Sequence, residues 1–307
     1  MPLVVNGKPA TSRFISFEDF SKKHPHFKDL ADAFCKKPIQ TIGKGVLYVM
    51  QREYASVTPE DGNVTLMGSD DATTCHIVVL RNTASGVTSL GHFDGHDTSN
   101  GIKNMIESVT CGSRIGSGKI ELNLFGGFLD DRRTSEKLTT SILEIIQNQQ
   151  VPIHLMSACI TGFNDTIDEG LHKPRVYGVG VTIQDGNIFP ATFQHKGPDE
   201  YIRHARSFSG CRMTEVYSSH YKEFRILPYE YVQDMTGHIP FFLAAPDEVI
   251  LQYLSTSPHC EPPDFVANTK AALHHILSNP KPLKTVFPGG NCRVYKYQVG
   301  TDVWARV

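Results

Sequence analysis

Long apolar runs are missing from this chain: no stretch approaches the roughly 18 consecutive apolar residues that mark a membrane-spanning helix. The first residues, Met1-Pro2-Leu3-Val4-Val5-Asn6-Gly7, lack the basic segment and apolar run of a secretory leader. Neither charge sign dominates, since 30 Lys and Arg stand against 32 Asp and Glu for a formal net charge of −2. Nucleic acid and anionic membrane both call for a concentrated basic field, so neither is expected as a partner. Cysteine never occurs as CxxC. The seven cysteines, at 35, 75, 111, 159, 211, 260 and 292, form an odd and widely spaced set. They are expected to be free thiols in a reducing compartment, which points to a soluble, cytoplasmic protein with or without a nuclear pool. Repeats and low-complexity tracts are also absent. What remains is ordinary globular composition, 40% hydrophobic and 20% charged, in 307 residues. A chain of that length buries about three quarters of its unfolded surface.

An N-terminal helical segment is expected over about 14–37. Ser16 is placed to cap it, and His24-Pro25 divides it because a residue before proline avoids the α region. Short β-type runs follow at Gly45–Arg52, Val64–Gly68, His76–Arg81 and Val87–His92, each bounded by Gly, Asp, Asn or Ser. A helix at Thr98–Ser108, a strand at Lys119–Phe125 and a turn at Gly126-Gly127 come next. Ser135–Gln149 carries Leu138, Ile142, Leu143, Ile145 and Ile146 on one helical face. Ile153–Phe163 reads as a strand, and Arg175–Ile183 with Ile188–Phe193 as a hairpin around Asp185-Gly186-Asn187. Helices are expected at Asp199–Ser207, Asp247–Leu254 and Asp264–Leu277, and a last strand at Arg293–Val299. So many strands exceed a simple βα alternation. The expected class is α+β, with largely antiparallel or mixed sheets, in one domain over residues 1–307.

The chemistry concentrates at Gly68-Ser69-Asp70-Asp71-Ala72-Thr73-Thr74-Cys75-His76. Small polar residues crowd a loop there, and Cys75 opens the apolar strand Ile77-Val78-Val79-Leu80. A sulfur held at a strand end can attack a carbonyl carbon while neighbouring backbone N–H groups receive the oxyanion. Such a thiol needs a base. If the runs on either side of Arg81–Gly86 form a hairpin, Cys75 and His92 meet at its open ends. The residues alone leave Cys75 between nucleophile and small buried hydrophobe. For the other six cysteines the buried hydrophobe is expected, most clearly for Cys159. Two rivals carry less weight. His92, Asp94, His96 and Asp97 offer metal-ligand chemistry but also read as a polar loop. Gly112-Ser113-Arg114-Ile115-Gly116-Ser117-Gly118-Lys119 is glycine-rich but lacks the P-loop spacing and precedes a strand, so a plain connection is expected.

The block Ser69–Leu80 closely resembles the eukaryotic protein N-terminal asparagine amidohydrolase family. The likeness continues through Leu90–Asp97, Phe125-Gly126-Gly127-Phe128 with Asp130-Asp131-Arg132, and Leu254-Ser255-Thr256-Ser257-Pro258 with Glu261-Pro262-Pro263. It covers almost the whole chain and is weakest over Lys8–Lys44. That family is similar to cysteine hydrolases that include chemoreceptor glutamine deamidases and cytotoxic necrotizing factors. The chemoreceptor deamidases place a hydroxyl six residues before the cysteine and a histidine seventeen after it. Here those spacings fall on Ser69 and His92, with serine where those enzymes have threonine.

The resemblance implies a layered α-β-β sandwich and conversion of an N-terminal asparagine to aspartate plus ammonia, without metal or organic cofactor. Cys75 would be the nucleophile, forming a thioester, His92 the acid and base, and Ser69 the group orienting the imidazole. Thr74 would lie at the oxyanion. Restriction to a chain terminus needs an anion for the α-ammonium, and Asp70, Asp71 and Asp94 flank the proposed nucleophile and base. Partners would be peptides and proteins with N-terminal asparagine, their product feeding a degradation pathway that reads N-terminal residues. Two alternatives stand: a deamidase or transglutaminase acting on internal Gln or Asn, and a non-catalytic module that binds N-termini. An N-acetylated peptide separates the first, and rapid alkylation of Cys75 the second.

Overall fold

A computed structural model describes residues 3–10, 13–111, 118–210, 212–232 and 237–307. Cys211 and the greater part of the glycine-rich Gly112–Lys119 stretch lie outside the described residues. The β-branched run after Cys75 forms the strand His76–Asn82, which turns through Thr83–Val87 and returns antiparallel as Thr88–Phe93. On its other edge His76–Asn82 pairs antiparallel with Ile120–Gly126, so this central strand is bonded on both sides. The sheet grows outward from these three. Its order is Thr214–Glu215, Glu53–Val57, Thr88–Phe93, His76–Asn82, Ile120–Gly126, Ile153–Ile160, Leu3–Val5, Lys8–Pro9. Ile120–Gly126 with Ile153–Ile160, Ile153–Ile160 with Leu3–Val5, and Thr214–Glu215 with Glu53–Val57 are parallel pairs, which makes the sheet mixed.

Helices Thr98–Thr110 and Thr134–Gln147 lie on one face of this sheet. Met105 of the first approaches Gly91, and Thr139 of the second bonds His76. A second sheet, in the order Gln40–Ile42, Ile188–Phe193, Val179–Thr182, Leu66–Ser69, Leu47–Tyr48, covers the other face. Leu66–Ser69 packs over Thr88–Phe93. The result is helix, sheet, sheet. Between the two sheets a single apolar core runs through Val49, Met67, Ile77, Val79, Leu90, Val179 and Val181. A smaller antiparallel sheet, Tyr217–Ser218, Glu223–Ile226, Arg293–Gln298 and Val303–Arg306, and the helices Asp247–Leu254 and Phe265–Ser278 complete the α+β architecture.

Most expected elements appear within a few residues of their expected bounds. Ser16 caps Phe17–Lys23 by accepting from the Asp19 N–H at 3.1 Å, and the next helix starts at His26, just past Pro25. The main correction falls at Gly45–Arg52. That run is not one strand: Leu47–Tyr48 belongs to the second sheet, and the chain then crosses to the first as Glu53–Val57, an unforeseen strand. Arg52 turns the crossing with a left-handed φ of 62°. Strand Ile153–Ile160 also stops short of Phe163, which lies in a 3-10 turn.

Candidate active site

Alternation along His76–Asn82 decides which way the candidate nucleophile faces. His76 points to the helices, its Nε2 at 2.7 Å from Thr139 Oγ1, so Cys75 and Ile77 point to the second sheet. His92 lies opposite Ile77 in the ladder and shares its face. Cys75 is therefore the diagonal neighbour of His92, within side-chain reach. From the facing sheet, Ser69 ends Leu66–Ser69 and holds His92 Nδ1 with its Oγ at 2.8 Å. This hydrogen bond joins the two sheets and is fully buried. His92 Nε2, also buried, has no protein partner among the described residues. A cleft of about 350 Å³ is lined by Cys75, His92, Thr74, Asp70, Asp71 and Asp94, with Gln51, Arg52, Lys196 and Glu261 among the other lining residues. A second hollow, near Val5 and His24, has no thiol or carboxylate in its described lining.

The Thr74–Cys75 peptide is fixed from behind. Ser135 Oγ donates to the Thr74 carbonyl at 3.3 Å, from the first turn of Thr134–Gln147. The peptide is trans, so the Cys75 N–H points the opposite way, away from that helix. Asp130 supports Ser135 by accepting from the N–H groups of Thr134 and Ser135, both at 2.9 Å. Gly126, at φ 99°, leaves room beside Cys75: a Cβ there would stand 2.5 Å from the Cys75 carbonyl oxygen. The Gly126-Gly127 and Asp130 motifs thus shape the backbone that presents Cys75.

Electrostatics leave the resting pair neutral. Burial pushes the Cys75 thiol well above its ordinary value, aided by the negative charge of Asp94 and Glu261 and opposed by Arg52. Burial also lowers His92 to about 4. A thiol that holds its proton beside an imidazole that lacks one is ready for proton transfer during attack, rather than stored as an ion pair.

The three aspartates lie around the cleft, each already engaged. Asp70 accepts from Tyr48 Oη at 2.6 Å and from the Phe193 N–H at 2.7 Å, and burial, with the neighbouring Asp71 charge, raises it to about 6. Asp71, at a left-handed φ of 58°, forms an ion pair with Lys196. Asp94 is gripped by Arg52 Nε at 2.6 Å, Gln51 Nε2 at 2.7 Å and the His96 N–H at 3.0 Å. Burial opposes its charge, but Arg52 and these bonds hold its carboxyl below the ordinary value. Asp97 instead accepts from the Met213 N–H, so the four polar residues of that loop do not converge. Among the described residues no group of three or more His, Cys, Asp or Glu is arranged to hold a metal ion.

Thr74 Oγ1 lies 2.8 Å from Thr256 Oγ1, which ties the distant Leu254–Glu261 stretch to the residue before Cys75. Of the other described cysteines, Cys159 and Cys260 are buried as expected, whereas Cys35 and Cys292 are only half-buried and Cys111 is exposed at the end of its helix. Cys159 Sγ sits 3.5 Å from Cys35 Sγ.

The family model for protein N-terminal asparagine amidohydrolase matches residues 37–306. The chain belongs to that family. It is 39% identical to the human protein N-terminal asparagine amidohydrolase over 304 residues, covering 96% of this chain and 95% of the human one. The mouse protein of the same name is 38% identical over 298 residues, again at 96% and 95% coverage. An Arabidopsis thaliana relative bearing that name is 28% identical over 278 residues, 82% of this chain and 79% of its own. Sequence reasoning missed several residues of the site: Arg52 and Gln51 beside Asp94, Ser135 behind Thr74, and Thr256 and Glu261 from the late chain. The family-like block Leu254–Pro263 held Thr256 and Glu261 without showing their contacts, and the block ending at Arg132 held Asp130, which supports Ser135, whereas nothing in the sequence marked Gln51 or Arg52.

Proposed function

We propose that Cys75, His92 and Ser69 hydrolyse the side-chain amide of an N-terminal asparagine to aspartate, releasing ammonia. The observation that carries this assignment is the Ser69–His92 bond across the sheets, which leaves Nε2 unpartnered on the face that Cys75 shares. Ser69 accepts the Nδ1 proton and so keeps Nε2 as the base. As the sulfur bonds to the amide carbon, its proton passes to Nε2 and the carbonyl oxygen gains negative charge. The Cys75 N–H, aimed away from Ser135, donates to that oxygen, with Thr74 beside it. A donor of this kind is worth about 3 kcal/mol in known cases. The imidazolium then protonates the departing nitrogen, the C–N bond breaks, ammonia leaves and a thioester remains. Water gives a proton to Nε2 while attacking the thioester, and collapse returns the thiol and a carboxylate.

Nothing in this sequence of steps calls for a metal or organic cofactor. The substrates are peptides and proteins that begin with asparagine, and the aspartate produced is a secondary degradation signal. We place the enzyme in the cytoplasm, where a catalytic thiol stays reduced. An Asn-initiated peptide incubated with the protein should gain about 1 Da and release one ammonia per peptide. Its Nα-acetylated form and the Cys75→Ala variant should both be silent. Equal turnover of the acetylated peptide would move the activity to internal residues, and ammonia release by Cys75→Ala would remove the proposed nucleophile.

A further inference from the structure

An enzyme confined to chain termini must sense the α-ammonium. In asparagine that nitrogen lies three bonds from the amide carbon, so it sits within ~4 Å of the carbon under attack. The anion that reads it must therefore stand close to Cys75. Two lining carboxylates, Asp94 and Glu261, bring their charge to bear on the Cys75 thiol. Asp94 is already matched by the Arg52 guanidinium. Asp70 is engaged by Tyr48 and a backbone N–H, and Asp71 by Lys196.

Glu261 differs. The groups that meet it are neutral serine hydroxyls, Ser255 above all by a hydrogen bond and Ser257 beside it, and no Lys or Arg pairs with it among the described residues. It stays near the nucleophile because Thr256, in the same loop, is bonded to Thr74, while the Ser257 N–H donates to Ser255 Oγ at 2.9 Å and rigidifies the loop. Building on the amidohydrolase reading, we infer that Glu261 is the carboxylate that binds the α-ammonium of the substrate. Burial, reinforced by the Asp71 charge, raises Glu261 to about 7, as expected of an anion awaiting its cation. Binding also couples to chemistry. Glu261 opposes formation of the Cys75 thiolate, and an ammonium held against it cancels that opposition.

The experiment compares an Asn-initiated peptide with its des-amino analogue, in which a succinamoyl group replaces asparagine, on the wild type and on Glu261→Gln. The wild type should prefer the amino peptide. In Glu261→Gln, kcat/KM for that peptide should fall by about 30-fold or more, the lower end for truncating one partner of a buried charge pair. The rate on the des-amino analogue should hold or rise. Iodoacetamide should alkylate Cys75 in Glu261→Gln at least as fast as in the wild type, which shows that the site is intact. Glu261→Asp should recover part of the lost preference. Equal losses on both peptides would make Glu261 structural, and an unchanged preference would place the ammonium elsewhere; either overturns the inference. Absence of ammonia release from either peptide by the wild type would instead overturn the underlying amidohydrolase reading.

Discussion

Ser69→Ala removes one buried oxygen and tests the link between the sheets. Ser69 is fully buried, and its Oγ is the described partner of His92 Nδ1 at 2.8 Å. In the resting enzyme the imidazole is neutral, so the variant loses a neutral hydrogen bond and leaves a buried N–H unpaired. The stability loss should be about 1–3 kcal/mol. During attack the imidazole takes the thiol proton, and the same bond then serves a charged donor, worth about 1.5–3 kcal/mol against about 1 for the neutral form. Only the difference, about 0.5–2 kcal/mol, slows the chemical step. That corresponds to a roughly 2- to 30-fold fall in kcat. KM should change little, because Ser69 lies behind the imidazole. Ser69→Thr retains the hydroxyl and should recover most of the rate. The assay is ammonia release at saturating Asn-peptide, with urea unfolding of each variant. An unchanged kcat for Ser69→Ala would refute the orienting role.

Three further outcomes follow from the geometry. Glu53 is fully buried between Arg203 and Arg206 at the crossing between sheets, so Glu53→Ala strands two guanidinium groups and should cost about 3–5 kcal/mol in urea unfolding. Gly126→Ala drives a Cβ against the Cys75 carbonyl at a left-handed φ. It should destabilise the fold by about 1–3 kcal/mol and depress kcat, both read on one preparation. His76 is buried and lowered to about 4, so between pH 6.5 and 4 the unfolded chain takes up a proton that the folded one refuses. Stability from this residue is present above pH 6.5 and declines as pH falls, by about 1.4 kcal/mol per unit. His76→Gln should therefore narrow the difference in unfolding free energy between pH 7.5 and pH 5 by about 2 kcal/mol.

Local chemistry made Cys75 and His92 legible as a candidate pair. The strand after Cys75 is β-branched and the turn that follows is short, so the hairpin itself was legible, but its register was not: a turn over Arg81–Gly86 sets Cys75 opposite His92, whereas the strands run on to Asn82 and Thr88 and the ladder sets Ile77 there. Ser69 was marked only by the resemblance to the chemoreceptor deamidases, since its contact crosses to another sheet. Glu53–Val57 escaped notice because a charged residue opens it. That charge is buried only because Arg203 and Arg206 arrive from about 150 residues away. Leu3–Val5 is too short to announce itself and gains its place by pairing in parallel with Ile153–Leu155. The same distance effect governs the acidic residues. Nothing near Asp70, Asp71 or Asp94 in sequence shows that Tyr48, Lys196 and Arg52 will engage them. Glu261 is held at the cleft by a loop that meets Thr74 across 182 residues of chain.

The thioester tests the central claim most directly. Wild-type protein mixed with saturating Asn-peptide, quenched in acid within the first turnover and weighed intact, should carry the peptide minus one ammonia on the tryptic fragment that contains Cys75. The adduct should disappear with neutral hydroxylamine and be missing from Cys75→Ala. An adduct on any other residue, or full turnover by Cys75→Ala, would contradict the account.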